Sequence, residues 1–533
     1  MAEENLTLPV RDSKTVSLTQ GLRRNTLFNL MGWAWTVGLA FVSVPYILSK
    51  MGKDAYGIFS IVSIVAGYLG LINGPVAMGN VRFMAEAYAH EEWSELRQVA
   101  YGGLTINGAL SLLGAFSMFL VADVLARRVF SIPPALVVTA ATSFRLAALS
   151  FFLNGLTAAL QGIPIATRRF DILNLGGVLI GTLNIAVIVL ALWLGWGLLG
   201  AVLAQAFSSL LGFMLFSIVA WRLLRKFPKS MRKSLLSATF VKRLASFSSL
   251  LFAGRVTSQI GLQIDRTLIG ILSGTTVLAF YTVPTKITDK IPGMMAVFSA
   301  ALYPLSSEAV ATDKVEELRQ LYHKMIRILL WISAFIASLL IVLSKDLLRL
   351  WIGPEFMINS WLVLALLAAG VVWRSSGSVA YQVCNGMGRA DINLIASIGT
   401  AIFMAVPVAI MVPKWGAPGA ALGALIGLFI SNLAYDLFTQ KKLLGCKSWR
   451  ESLTPYARII LAGAGTIVSV NFLSGHVSGW IGLIVRAGLI SFIFVALSLV
   501  VGALRTRDFK FMTAKMLGVV KGTSSPIVSN KPR

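Results

Sequence analysis

The stretch FSSLLFAGRVTSQIGLQIDRTLIGIL (247–272), followed by VLAFYTVPTKITDKIPGMMAVFSAALYP (277–304), decides how the rest of the chain reads. Each run is long enough to cross a ~30 Å hydrocarbon core as a helix. Yet the first carries Arg255, Asp265 and Arg266, and the second Lys286, Asp289 and Lys290. A charge at bilayer depth costs at least ~2.5–3.5 kcal/mol on insertion scales, so such residues face a bundle interior, a water-filled cavity or a partner. At about 100° per residue, Arg255, Gln259, Gln263 and Arg266 share one stripe of the first helix, with Asp265 off it. Thr282, Lys286, Asp289, Lys290 and Gly293 share a stripe of the second, where Pro284 and Pro292 are expected to bend the helix and free backbone carbonyls. Four basic groups against two acidic ones predict that whatever the two faces enclose is an anion rather than a cation.

The whole chain follows this apolar pattern. Of its 533 residues 56% are hydrophobic and 13% charged, and apolar windows of about 20 residues recur along nearly the entire length. The expected fold class is therefore an all-α integral membrane protein, since the segments are too long and too unalternating for barrel strands. Fourteen spans are expected, near 26–48, 57–79, 99–125, 134–160, 172–194, 198–221, 247–272, 277–304, 325–347, 358–384, 392–412, 417–437, 457–473 and 480–504. The net charge of +25 is concentrated in short loops beside these spans, not in an aromatic-interleaved patch, which argues for membrane orientation and against nucleic acid. The 222–243 loop, the 441–458 loop and the tail after 504 hold the densest basic clusters and fall on one side, so both termini are expected to be cytoplasmic. Residues 1–24 lack the apolar region of a signal peptide, and the first helix is expected to stay in place. Cys384 and Cys446 are not expected to pair, and His90, His323 and His476 are too scattered for a metal site. No metal or cofactor is expected.

An internal repeat organises the spans. Glu86-Ala87-x-Ala89 with Glu95-Leu96-Arg97-Gln98 recurs as Glu308-Ala309-x-Ala311 with Glu317-Leu318-Arg319-Gln320, an offset of 222. Asp171 answers Asp391 at 220, and Trp196-Gly197-x-x-Gly200-Ala201-x-Leu203 answers Trp415-Gly416-x-x-Gly419-Ala420-x-Leu422 at 219. Six spans per copy is an even number, so the copies should be parallel, related by an axis along the membrane normal. The expected divisions are a cytoplasmic segment at 1–25, six-helix bundles at 26–221 and 247–437, a basic linker at 222–246, two further helices within 438–504 and a basic tail at 505–533. At offset 222, Arg255, Asp265, Lys286 and Lys290 answer Trp33, Ser43, Ile64 and Tyr68, so the central charges belong to one half only.

Arg145 in the fourth span and Arg374 in the tenth join Arg255, Arg266, Lys286 and Lys290 as expected cavity residues for an anionic substrate. Against this stand structural ion pairs, Asp265 with Arg266 or Asp289 with Lys290, and snorkelling to the interface. Asp265 and Asp289 are also candidates for carrying a coupling ion, although charge pairing alone accounts for them. Glu86 and Glu308 are candidate cytoplasmic gates; the favoured reading of 86–98 and 308–320 is an interfacial amphipathic helix. Trp193, Trp196, Trp351 and Trp480 read as interface anchors. No loop between spans exceeds about 25 residues, and no phosphate loop, dinucleotide fingerprint or zinc helix occurs, which argues against an ATPase and most enzymes.

Pro45, the loop Gly52-Lys53-Asp54-Ala55-Tyr56-Gly57, Gln161-Gly162 followed by Asp171 to Asn174, and Asp265-Arg266 followed by Tyr281 resemble Wzx-type polysaccharide transporters. That is the O-antigen flippase family of the multidrug/oligosaccharidyl-lipid/polysaccharide (MOP) exporter superfamily. The resemblance covers nearly the whole chain. It implies two bundles around a central cavity that opens alternately to either side, and an undecaprenyl-diphosphate-linked oligosaccharide moved from the cytoplasmic to the periplasmic leaflet of the bacterial inner membrane. Polysaccharide polymerase or export machinery are the implied partners beside the lipid bilayer. The chain has no charge between Arg24 and Lys50, unlike the lipid II branch of the superfamily. Two other readings are a cation-coupled multidrug exporter of the related branch and a membrane-embedded polysaccharide polymerase or ligase. The first favours acidic cavities, and the second needs a large external loop that the sequence lacks.

Overall fold

The computed structural model describes residues 18–227, 238–300, 302–446, 448–473 and 479–503. Most of the N-terminal segment, the middle of the basic linker and the basic tail lie outside the described residues. Among the described residues the fold is all-helical: α1 Leu18–Met51, α2 Lys53–Ala89, α3 Trp93–Val124, α4 Val137–Ala166, α5 Phe170–Trp193, α6 Gly197–Leu224, α7 Ala238–Leu272 and α8 Gly274–Thr288. There follow α9 Ile291–Ser299, α10 Leu302–Ala311, α11 Val315–Trp351, α12 Pro354–Gly386, α13 Ala390–Phe438, α14 Trp449–Leu473 and α15 Gly479–Val500. The protein is an all-α integral membrane protein, in which 10 helices among the described residues are long and apolar enough to cross a bilayer. These are α2 to α6 and α11 to α15. α7, whose Arg, Asp and Gln side chains lower its hydropathy, and the divided run from α8 to α10 are not among them.

That division corrects the expectation of one span over 277–304. α8 ends at Thr288, and α9 begins at Ile291 with Pro292 in its first turn, where proline's missing N–H does least harm. The separate interfacial helices expected at 86–98 and 308–320 are also absent. α2 continues to Ala89 and α3 starts at Trp93, while α10 ends at Ala311 and α11 starts at Val315, so each segment is two helix ends joined by a tight turn.

The turns repeat along the chain. Left-handed backbone occurs at Gly52 and Gly274, at Glu91 and Asp313, at Arg168 and Gly388, and at Gly197 and Gly416. Their offsets are 222, 222, 220 and 219, the same values as in the sequence motifs. After the third pair, Arg169 grips Asp171 and Arg389 grips Asp391 through two-nitrogen contacts of about 3.0 Å. Gly416 (φ 58°, ψ −132°) breaks α13 into two rods, a conformation closed to residues with a Cβ, so the two spans expected there are joined end to end.

α14 and α15 pack on α11. Phe494 sits beside Trp331 and Phe335, with ring centroids 5.7 and 5.5 Å away, and Arg486 of α15 pairs with Asp346 of α11. At the opposite end of α11, the fully buried Asp436 accepts hydrogen bonds from Tyr322, Tyr456 (2.6 Å) and Gln440 (2.6 Å). One carboxylate thus joins α11, α13 and α14, and its burial is compensated because three donors satisfy it. Cys384 and Cys446 are both buried and free.

Candidate functional site

The charged faces of the opening stretch do meet. α2, α7, α8 and α12 enclose a cavity of about 440 Å³ whose wall includes Gln259, Gln263 and Arg266 of α7, Thr282, Thr285 and Lys286 of α8, Asp289, Pro292 and Arg374. α2 contributes Tyr56, Phe59, Ser60, Ser63 and Ile64. Arg266 donates to Asp289 across 2.5 Å, and their side chains are 20% and 38% exposed. Lys286 and Arg374 make no hydrogen bond or ion pair with any described residue. Three cations against one carboxylate leave a surplus of two positive charges. A cation held within the membrane without a protein partner is tolerated where a cavity supplies water or an anion.

Asp265 is placed differently. It is 4% exposed and lies behind the wall, taking the Tyr281 hydroxyl (2.5 Å) on one oxygen and the Arg266 amide (2.8 Å) on the other. The two pairings expected from sequence, Asp265 with Arg266 and Asp289 with Lys290, are thus replaced by Arg266 with Asp289 and Tyr281 with Asp265. Neighbours in a helix point about 100° apart, so side chains from two facing helices meet more readily. Lys290 is exposed and Arg255 lies against the Met78 sulfur (3.0 Å), and neither is among the residues lining this cavity. Nor is Arg145, which pairs with Asp123 and lies 5.6 Å from the Phe119 ring, close to the turn between α3 and α4. Glu86 holds Arg243 of α7 with contacts of 3.0 and 3.1 Å; Glu308 is exposed on the last turn of α10.

Sequence reasoning missed Tyr56, Ser60 and Thr285. Ser60 was findable: at offset 222 it answers Thr282, and the two hydroxyls lie 3.5 Å apart in the cavity wall. Equivalent residues of the two halves thus face the site together.

The cavity is closed at the end that bears the α1–α2, α7–α8 and α11–α12 turns. There Lys53 pairs with Glu355 at 2.5 Å, Asp54 accepts from Thr275 (3.2 Å) and Thr276, and the Trp351 indole donates to the Phe41 carbonyl at 2.6 Å while stacking on its ring. Ser131 bonds the carbonyls of Gly270 and Ile271. α2 approaches α8 so closely that a Cβ on Gly57 would lie 2.1 Å from the Thr275 carbonyl oxygen. At the opposite end the corresponding link runs through α7, by Glu86 with Arg243 and by Ser248 with the Pro75 carbonyl (3.4 Å).

A family model described as "Polysaccharide biosynthesis protein" matches residues 22–310, and one described as "MatE" matches 251–411. A putative O-antigen transporter of Shigella flexneri is 20% identical over 414 residues, covering 77% of this chain and 96% of that protein. The uncharacterized membrane protein EpsK of Bacillus subtilis (strain 168) is 24% identical over 340 residues, covering 62% and 65%. Among solved structures, the lipid II flippase MurJ in an inward closed conformation is similar with TM-score 0.68, 14% identity, and coverage of 93% and 99%. An inward-facing multidrug resistance MATE family transporter of the MOP superfamily gives 0.63, 19%, 80% and 96%. At these identities the structures speak for the fold. The relatives and structures that carry a functional name are transporters and flippases, not enzymes.

Proposed function

Because the chain belongs to the polysaccharide biosynthesis protein family, we propose that this MOP-type transporter flips an undecaprenyl-diphosphate-linked oligosaccharide from the cytoplasmic to the periplasmic leaflet of a bacterial inner membrane. The observation that carries the reading is the cavity in which Lys286 and Arg374 have no hydrogen-bond or ion-pair partner among the described residues while Arg266 is balanced by Asp289. A diphosphate would complete that site: guanidinium binds phosphate oxygens in bidentate geometry and ammonium adds a compact charge. Its lipid chain would remain among the apolar helices. Arg255 and Lys290 would serve on the approach, and Arg145, held by Asp123, would act outside the cavity described here.

In this reading the bundles at 26–221 and 247–437 rock about an axis passing between Ser60 and Thr282, with both termini cytoplasmic. The tight end formed by Lys53, Asp54 and Glu355 would then be periplasmic, and the form described would receive substrate from the cytoplasm. Polymerase or export machinery would take the product. The test is transport of a fluorescent undecaprenyl-diphosphate oligosaccharide in proteoliposomes. Flipping by the wild type that is lost in the Lys286→Gln/Arg374→Gln double variant supports the proposal; equal flipping by both removes these residues from the path.

A second reading, cation-coupled drug export, is favoured by the MatE match over 251–411. The surplus positive charge of the cavity disfavours a cationic drug.

A further inference from the structure

A second cavity, of about 250 Å³, lies between α2, α4 and α6 in the first half, and Ser63 lines both it and the cavity already described. No charged side chain lines it. Its polar groups are Ser63, Asn73, Ser150, Asn154 and Gln205, and Phe151 supplies an aromatic ring. Asn73 and Ser150 are 5% and 4% exposed, and the Asn73 carbonyl oxygen and Ser150 hydroxyl are buried without a hydrogen-bond partner. The amides of Asn154 and Gln205 have no partner among the described residues either. Buried polar groups are ordinarily paired, and each exception needs a reason. Asn73 and Ser150 are two such exceptions, and the exposed Asn154 and half-buried Gln205 line the same space.

The internal offsets sharpen the contrast. At 220, the offset that governs the α4–α5 and α12–α13 turns, Arg374 answers Asn154; at 222, Lys286 answers Ile64 and Asp289 answers Gly67. Where the second half carries charges, the first carries an amide or nothing polar. An amide both donates and accepts, matching a hydroxyl or an acetamide, while a carboxylate placed there would be taken out of water without a facing cation.

Resting on the transport reading above, we propose that this cavity receives the sugar end of the same substrate and accepts uncharged sugars, bearing hydroxyl and acetamido groups, in preference to uronic acids. The diphosphate stays with Arg266, Lys286 and Arg374, and Ser63 marks the passage between the two compartments.

The test uses the full-length protein in detergent and three short-chain polyprenyl diphosphates, carrying no sugar, an N-acetylhexosamine or a hexuronic acid. Wild type should bind the N-acetylhexosamine compound about tenfold tighter than the sugar-free one, the gain of one or two net hydrogen bonds. Asn154→Ala and Gln205→Ala should abolish that advantage, leaving sugar-free binding unchanged and still weakened by Lys286→Gln, which also shows that the variants are folded. Asn154→Arg should move the preference towards the uronic acid. Equal binding of all three compounds by wild type, or an advantage that survives both alanine variants, overturns the sugar site while leaving the diphosphate reading standing. Sugar-free binding indifferent to Lys286→Gln overturns that reading, and this inference with it.

Discussion

Arg266 and Lys286 face the same cavity, but among the described residues only the first forms an ion pair, with Asp289 at 2.5 Å. Neutralising them should therefore have opposite signatures. Lys286→Gln or Arg374→Gln should reduce flipping of lipid-linked oligosaccharide at least about tenfold, the loss of one charge-assisted contact, with no fall in thermal stability. Arg266→Ala should lower the unfolding midpoint in detergent, and Arg266→Ala/Asp289→Ala should recover part of the loss. Breaking one side of a half-buried pair strands the other charge, whereas removing both does not. Scanning fluorimetry of the wild type, Arg266→Ala, Asp289→Ala and the double variant checks the cycle; a loss in the double variant equal to the sum of the two single losses would mean the pair is not coupled. That these charges cluster was legible from helical periodicity. Which carboxylate serves which cation was not, because Asp265 and Arg266 are adjacent in sequence and diverge around the helix, and Tyr281, no charged residue at all, claims Asp265.

Between helices, the closed end depends on small parts. The Lys53–Glu355 pair is exposed by 42% and 56%, and solvent screening leaves pairs of this kind little weight in stability. Lys53→Glu turns attraction into repulsion against Glu355 and should open this end. The expected sign is faster labelling, by up to about tenfold, of a cysteine placed at Ser60 by an impermeant thiol reagent added from that side. Adding Glu355→Lys should restore the wild-type rate, and a rate that ignores both changes would show that the pair does not hold the end shut. Gly57→Val should act the same way, since Thr275 leaves no room for a side chain. The helices themselves were readable from apolar runs, turn glycines and prolines. The break in 277–304 was legible: Pro292 announced a bend, and α8 ends at Thr288 just before it.

On the scale of the whole molecule, two halves share their turns and differ in their charges. Four pairs of left-handed residues at offsets of 219 to 222 show how much of the architecture a repeat in sequence can carry. At the site the halves diverge: at offset 220 Arg374 answers Asn154, so a charge in the second half meets an amide in the first. With cations in one half and amides in the other, expression should leave resistance to cationic drugs within about twofold of control, a difference of well under 1 kcal/mol. Depletion should instead trap lipid-linked oligosaccharide on the cytoplasmic leaflet, as measured by its accessibility to enzymes added from either side. A large gain in drug resistance with normal leaflet distribution would favour the exporter. The bond between Asp346 and Arg486 has a consequence for biosynthesis. Its partners are 140 residues apart, so at translation rates of about 5–20 residues per second Asp346 is made roughly 7–28 s before Arg486 exists. During that interval Asp346, near the end of α11, lacks the arginine that will bind it, so the docking of α15 onto α11 is among the last contacts of the described helices to form.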